Sequence, residues 1–152
     1  MIKNKIRELE SLTSYLNDEE KKIIIKAINF SNIAHKDQIR QSGDPFITHP
    51  IEVAKILTTI NLDASAIAAG LLHDTIEDTI ISISEITKSF GSQISELVQG
   101  LTKISKFALK MNKQKLGENY RKLILASSKD LRVILIKLAD RLHNMRTIKF
   151  IK

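Results

Sequence analysis

The chain contains no cysteine, which excludes disulfides and thiolate metal sites and fits a reducing compartment. Tryptophan is also absent and only seven residues are Phe or Tyr, so few side chains are available to stack on nucleic-acid bases. Five glycines and two prolines leave little material for long disordered linkers. The start, Met1-Ile2-Lys3-Asn4-Lys5, leads into a charged helix rather than the apolar core of a signal peptide. No window approaches the roughly 18 uninterrupted apolar residues of a membrane span. Together these absences point to a cytoplasmic chain.

What is present is 152 residues with 43% apolar content, enough for one domain, residues 1–152, with a sizeable core. The net charge of +7 suggests an anionic partner: nucleic acid, a phosphorylated small molecule or acidic lipid. Nucleic acid is the weakest of these, because no recognisable binding motif accompanies the charge.

No segment alternates convincingly with period two, so the pattern predicts an all-α chain. A first helix is expected over residues 5–16. A second starts at Asn17 or Asp18, with acids in its first turn, and runs to about His35 or Gln38. Residues 40–46 form a turn, and Thr48 caps a helix that runs to about Ile60. Asp63 caps the next helix, which carries His73-Asp74 at its end. A loop over 79–83 precedes a short helix from Ser84 to Phe90-Gly91. A helix over 92–105 runs into a basic stretch containing Lys103, Lys106, Lys110, Lys113 and Lys115, read as partly a mobile loop or else a solvated face. Helices over Glu118–Ser127 and from Asp130 to about Ile148 complete the chain, the last with Leu131, Ile134, Leu135, Leu138 and Leu142 facing inward.

The pattern is organised around Leu71-Leu72-His73-Asp74-Thr75-Ile76-Glu77-Asp78-Thr79. Four ionisable side chains follow an apolar approach within six residues. A divalent cation takes imidazole nitrogen and carboxylate oxygen together, and apolar walls keep competing water away. If the helix continues, His73/Glu77 and Asp74/Asp78 are i, i+4 pairs on one side. The competing reading is a helix C-terminus with a solvated acidic loop. Two distant residues bear on the choice. His49 opens a helix after a turn. Asp140 interrupts an apolar face, where a carboxylate is costly unless it is paired, with Lys137 or Arg141, or bound to metal. Asn144 and Thr147 continue the Asp140 face at i+4 and i+7.

The order His49 … His73-Asp74 … Asp140 resembles the ligand pattern of the HD superfamily of metal-dependent phosphohydrolases. Arg40-Gln41-Ser42-Gly43-Asp44-Pro45-Phe46-Ile47-Thr48-His49-Pro50, the 73–79 stretch, Leu101-Thr102-Lys103, Glu118-Asn119-Tyr120-Arg121-Lys122 and residues 133–147 are similar to the hydrolase domain of RelA/SpoT homologues, in the same order and spacing. The resemblance implies an HD-domain helical bundle of about six to eight helices. It implies an enzyme hydrolysing the alarmones ppGpp and pppGpp at the ribose 3′ position, releasing pyrophosphate and GDP or GTP. It assigns one Mn²⁺ to His49, His73, Asp74 and Asp140, and the attacking water to Glu77 and Asp78. It assigns the nucleotide to Arg40, Gln41, Ser42, Asn144 and Thr147, with Lys103 nearby. His35 and His143 are structural or support the ligands.

The chain stops at Phe150-Ile151-Lys152, where the family's hydrolase domain continues with further helices and long members add a synthetase domain. The resemblance is therefore to a hydrolase-only, truncated form. The alternative function is a catalytically weak or inactive guanine-nucleotide-binding remnant. Missing helices should leave apolar surface exposed, so a homodimer or larger oligomer built on the C-terminal third is expected.

Overall fold

The computed structural model describes residues 2–109 and 129–148, with side chains described to Lys106 in the first stretch. Eight helical segments occur among them and no strand: α1 (Ile2–Leu12), α2 (Asp18–Ala34), α3 (Thr48–Thr58), α4 (Ala64–Leu72), α5 (Thr75–Asp78), α6 (Ile83–Phe90), α7 (Ser92–Leu109) and α8 (Leu131–Arg146). The expected helix over Glu118–Ser127, together with Lys110, Lys113, Lys115, Phe150 and Ile151, lies outside the described residues.

The core is built around α4, whose sequence Ala-Ser-Ala-Ile-Ala-Ala-Gly-Leu-Leu is apolar on nearly every side. Such a helix is stable only when enclosed, and α4 packs against α2, α3, α7 and α8. Its small residues let those neighbours approach closely. A Cβ on Gly70 would stand 2.7 Å from Leu57 Cδ1 of α3. Gly100 on α7 likewise leaves room for Val133 of α8, where a Cβ would meet Val133 Cγ2 at 3.1 Å. Leu57, Ile67, Leu71, Leu72, Leu97, Leu101 and Ile136 are fully buried in the resulting core.

Several helix starts follow from their caps. Asn17 forms a reciprocal capping box with Glu20, and Asp63 accepts the Ala66 N–H. Thr48 differs from expectation. It lies inside α3, its hydroxyl donates to the Pro45 carbonyl, and Ile47 at the cap position makes no side-chain bond. The turn over 40–46 already delivers the chain into helix, so no cap is required. Its tip is Gly43, whose φ of +86° is strained for any residue with a Cβ. The helix expected from Ser84 begins at Ile83, because Ser82 and Glu85 form a second capping box. The basic stretch is helical as far as Leu109. The first helix ends at Leu12 rather than residue 16, and α1 packs on α3 through Leu9 and a Lys5–Glu52 ion pair.

The inward face of α8 is the main correction. Val133, Ile136, Ala139 and Asp140 are its buried residues, whereas Leu131, Leu138 and Leu142 are 66%, 60% and 40% exposed. The helix carries two apolar stripes, and the one containing Asp140 packs on α3, α4 and α7. The N-terminus of α8 is tied down by Arg132, which donates to Asp130 and reaches Asp63 Oδ2 at 2.7 Å. Asp63 thus caps α4 and holds α8. Replacing it with alanine should lower unfolding free energy by about 1 kcal/mol, the usual cost of a lost N-cap, read as a lower urea midpoint. An unchanged midpoint would mean that this junction contributes nothing to stability.

Candidate metal centre

Four elements meet below the C-terminal end of α4. His49 comes from the first turn of α3, His73 and Asp74 from the bend between α4 and α5, and Asp140 from the middle of α8. His49, His73 and Asp140 are buried, and their ligand atoms all lie within 4.8 Å of one another. His49 Nε2 is 3.2 Å and His73 Nε2 3.7 Å from Asp140 Oδ1. Asp74 Oδ2 approaches the same imidazoles at 3.7 Å (His49) and 3.0 Å (His73). The four residues expected as ligands therefore converge. The helix does not run straight through them: α4 ends at Leu72 and a separate turn, α5, follows, with Asp78 N–H donating to the Asp74 carbonyl at 2.9 Å.

The carboxylates of this cluster draw positive charge to themselves. Burial opposes charge on His73, but Asp74 and Asp140 outweigh it and lift the imidazole to about 10. Burial alone would raise Asp140, yet His49, His73 and Lys137 hold it well below the usual carboxylate range. Asp74 is likewise lowered, by His73 and then His49, against its burial. His49 is pushed down by burial, against its bond to Asp140. The rings are oriented for ligation. His73 Nδ1 lies 2.7 Å from the Gly70 carbonyl, so it carries the proton, while Nε2 is buried without a hydrogen-bond partner and faces the carboxylates. Two imidazole nitrogens, His73 Nε2 once its proton is displaced, and two carboxylates make a mixed donor set suited to a first-row divalent metal. The residues present fit such an ion.

A web of polar contacts surrounds the cluster. Asp140 Oδ1 accepts from Asn144 Nδ2 at 2.7 Å, and its Oδ2 accepts from Lys137 Nζ at 2.9 Å. The Lys137 ion pair weighed as an alternative to metal binding is thus present together with the cluster. Lys137 also donates to Ser105 Oγ at 3.0 Å, beside Glu77 in the cavity lining. Burial raises Glu77 above its ordinary range, with Asp74 adding to the effect and Ser105 opposing it. Asp78, exposed on one side, is raised by partial desolvation and then by Asp74. Gln38 links His35 to the α5 turn: its Oε1 lies 2.8 Å from His35 Nδ1 and its Nε2 donates to the Asp78 carbonyl at 2.7 Å. His143 sits beside His49, Nδ1 to Nδ1 at 2.7 Å, and is depressed to about 4 by burial, His49 and Arg40.

A cavity of about 600 Å³ opens over the cluster, within the usual range for a small-molecule site. Arg40, Gln41, Ser42, Asn144 and Thr147 line it, with His49, Asp74, Glu77 and Asp140. Arg40 Nη2 donates to Asn144 Oδ1 at 3.4 Å across its wall. Three of the expected residues are not among its lining residues, the first being His73, which is buried in the cluster beneath. Lys103 is exposed on α7, since a residue two positions from the inward-facing Ser105 points to the other side. Asp78 is exposed beside Glu77. Conversely, Ser105, Lys137, Arg141 and Phe46 line the cavity without having been singled out for it. For Ser105 the available signal was its place on the buried Leu101/Thr102 face of α7.

An all-helical fold that gathers two histidines and two aspartates from separated segments under an open polar cavity defines a metal-site protein of the HD type. A family model described as the HD domain matches residues 27–151, and the chain belongs to that family. It is 48% identical over 145 residues to a GTP pyrophosphokinase of Myxococcus xanthus, covering 93% of this chain and 19% of the relative. It is 44% identical over 137 residues to the bifunctional (p)ppGpp synthase/hydrolase SpoT of Escherichia coli K12, covering 90% and 20%. The chain thus spans about a fifth of the length of these curated relatives. Among solved structures, it resembles a metazoan ortholog of SpoT that hydrolyzes ppGpp, with a TM-score of 0.68, 29% identity and coverage of 90% of this chain and 73% of that one.

A cation bound to His73 Nε2 must displace the proton that Asp74 and Asp140 favour there. Divalent-metal affinity should therefore rise with pH throughout the neutral range, by roughly tenfold per pH unit for each proton displaced. Titrations of the chain with Mn²⁺ at several pH values measure this. Affinity that does not change with pH would contradict the assignment of His73 as a ligand.

Proposed function

We propose that this chain hydrolyses ppGpp and pppGpp at the ribose 3′ position, releasing pyrophosphate and GDP or GTP, with Mn²⁺ held by His49, His73, Asp74 and Asp140. The observation that carries this reading is the buried cluster at the floor of a cavity whose wall presents Arg40, Lys137 and Arg141. Three cations over a nitrogen–carboxylate site suit a substrate made mostly of phosphate. The matched part of SpoT favours hydrolysis over synthesis, because the solved structure that this chain resembles over most of its length is that of a ppGpp hydrolase. Mn²⁺ is proposed from the likeness to the RelA/SpoT hydrolase domain, and the donor set is compatible with it.

When bound, the ion would supply an activated water and charge to offset that developing on the phosphate oxygens. The chain's own groups would do the rest. Glu77 lines the cavity, and its raised carboxyl would take the proton of the attacking water. Asp78 stands next to it as a second acid whose charge is disfavoured by Asp74. By the likeness to the RelA/SpoT hydrolase domain, Arg40, Gln41 and Ser42 would pack around the guanine, and Asn144 and Thr147 would contact the nucleotide. Lys103, outside the cavity lining, would act only on the approach of an anionic ligand. The chain is taken to work as one domain, in the cytoplasm.

The test is pyrophosphate release from ppGpp by the Mn²⁺-loaded chain. Glu77→Gln should lower kcat by about 10²- to 10⁴-fold while metal and nucleotide binding persist, and Asp78→Asn should act in the same direction. Loss of metal in either variant would show that the residue is a ligand rather than a base. Nucleotide binding without pyrophosphate release from the wild-type chain would leave the alternative, a binding remnant.

We also propose self-association through the C-terminal third. Leu131, Leu138, Leu142 and Met145 form one exposed stripe on α8, and Ile148 follows; a second copy would cover it. Light scattering at micromolar concentration should report a dimer or larger species, reduced to monomer by Leu138→Glu. A wild-type monomer would rule this out.

A further inference from the structure

We propose that His143 is a positioning residue for the metal site: it accepts the Nδ1–H of His49 and so fixes that ring with Nε2 free for the cation. This inference rests on the metal reading above.

The warrant is proton counting. His49 Nε2 faces Asp140 Oδ1 at 3.2 Å and Asp74 Oδ2 at 3.7 Å, so it is the nitrogen that would bind metal. A ligating nitrogen carries no proton, which places the ring's remaining proton on Nδ1. The atom waiting there is His143 Nδ1, at 2.7 Å. Two imidazole nitrogens at that distance must share one proton, since two lone pairs or two N–H groups would repel. With His49 ligating, the proton belongs to His49, and His143 serves as acceptor with its own proton on Nε2.

The rest of the site supports the assignment. His73 has the same arrangement, but its Nδ1 is held by the Gly70 main-chain carbonyl. Of the two imidazoles, only His49 depends on a side chain for its orientation. That side chain sits on the ligand-bearing helix: Asp140, His143 and Asn144 occupy one stretch of α8, and Asn144 bonds Asp140 as His143 bonds His49. The Thr147 hydroxyl donates to the His143 carbonyl at 3.1 Å, fixing the helix end behind it. The Phe46 ring, edge-on to His49 at 6.3 Å between centroids, offers no alternative acceptor.

The experiment compares wild type with His143→Phe, which keeps a ring but no acceptor, and His143→Asn, whose side-chain oxygen can stand near the lost nitrogen. Mn²⁺ affinity should fall about 10- to 100-fold in His143→Phe, the usual effect of losing a ligand's hydrogen-bond partner, and stay near wild type in His143→Asn. In chains loaded with diamagnetic Zn²⁺, the His49 Nδ1 proton should give a slowly exchanging downfield NMR signal in wild type and His143→Asn, absent from His143→Phe. A purely structural role would leave that pattern unmoved. Wild-type Mn²⁺ affinity in His143→Phe overturns the inference. So does equal loss in both variants with circular dichroism unchanged, because the acceptor would then not be what matters. A wild-type chain that binds no Mn²⁺ at all overturns the metal reading itself, a distinct result.

Discussion

Removing Asp140 from water is the constraint on which the rest of the structure depends. An unpaired buried carboxylate costs several kcal/mol, and this one lies in the packed interface of α8 with α3 and α4. It is tolerable because two imidazoles, an amide and an ammonium converge on its two oxygens. Lys137 contributes one positive charge, while Asp74 brings a second carboxylate to the same imidazoles. The cluster is built to hold positive charge, which accounts for the direction of its protonation shifts and suits it to a divalent cation.

The scaffold answers this constraint through α4. Because the helix is small-sided and apolar, it can be enclosed by four others, which leaves its C-terminal end as a buried platform. His73 and Asp74 sit where that platform ends. His49 is delivered by α3, whose contact with α4 is so close at Leu57 that Gly70 has no room for a Cβ. The placement of these side chains is thus set by helix packing. The cavity above is less rigidly framed. Its wall includes the 40–46 turn, held by the hydrogen bonds Arg40 N–H to Asp44 O and Gly43 N–H to Arg40 O.

Much of this was legible in the sequence because the signals were local or strongly contrasted. His73-Asp74 after an apolar run, and a carboxylate on an apolar helix, are contradictions of ordinary burial that require compensation. The all-helical class followed from periodicity. What failed was helix phase and chain entry. On α8 the leucines define the more conspicuous stripe, yet the smaller Val133, Ile136 and Ala139 form the buried one, because only they fit against Gly100 and the crowded α3–α4 pair. Thr48 has the composition of a cap but follows a turn that makes a cap unnecessary. The Ser105–Lys137 and His49–His143 contacts depend on tertiary placement across 32 and 94 residues, which no local pattern encodes.

The most direct test of a divalent-metal site shared by side chains from separate helices is anomalous diffraction at the manganese edge, from crystals of the chain grown with Mn²⁺. The expected result is a single strong peak bounded by His49 Nε2, His73 Nε2, Asp74 and Asp140. No peak there, or an ion bound elsewhere with these four side chains still paired only to one another, would contradict it.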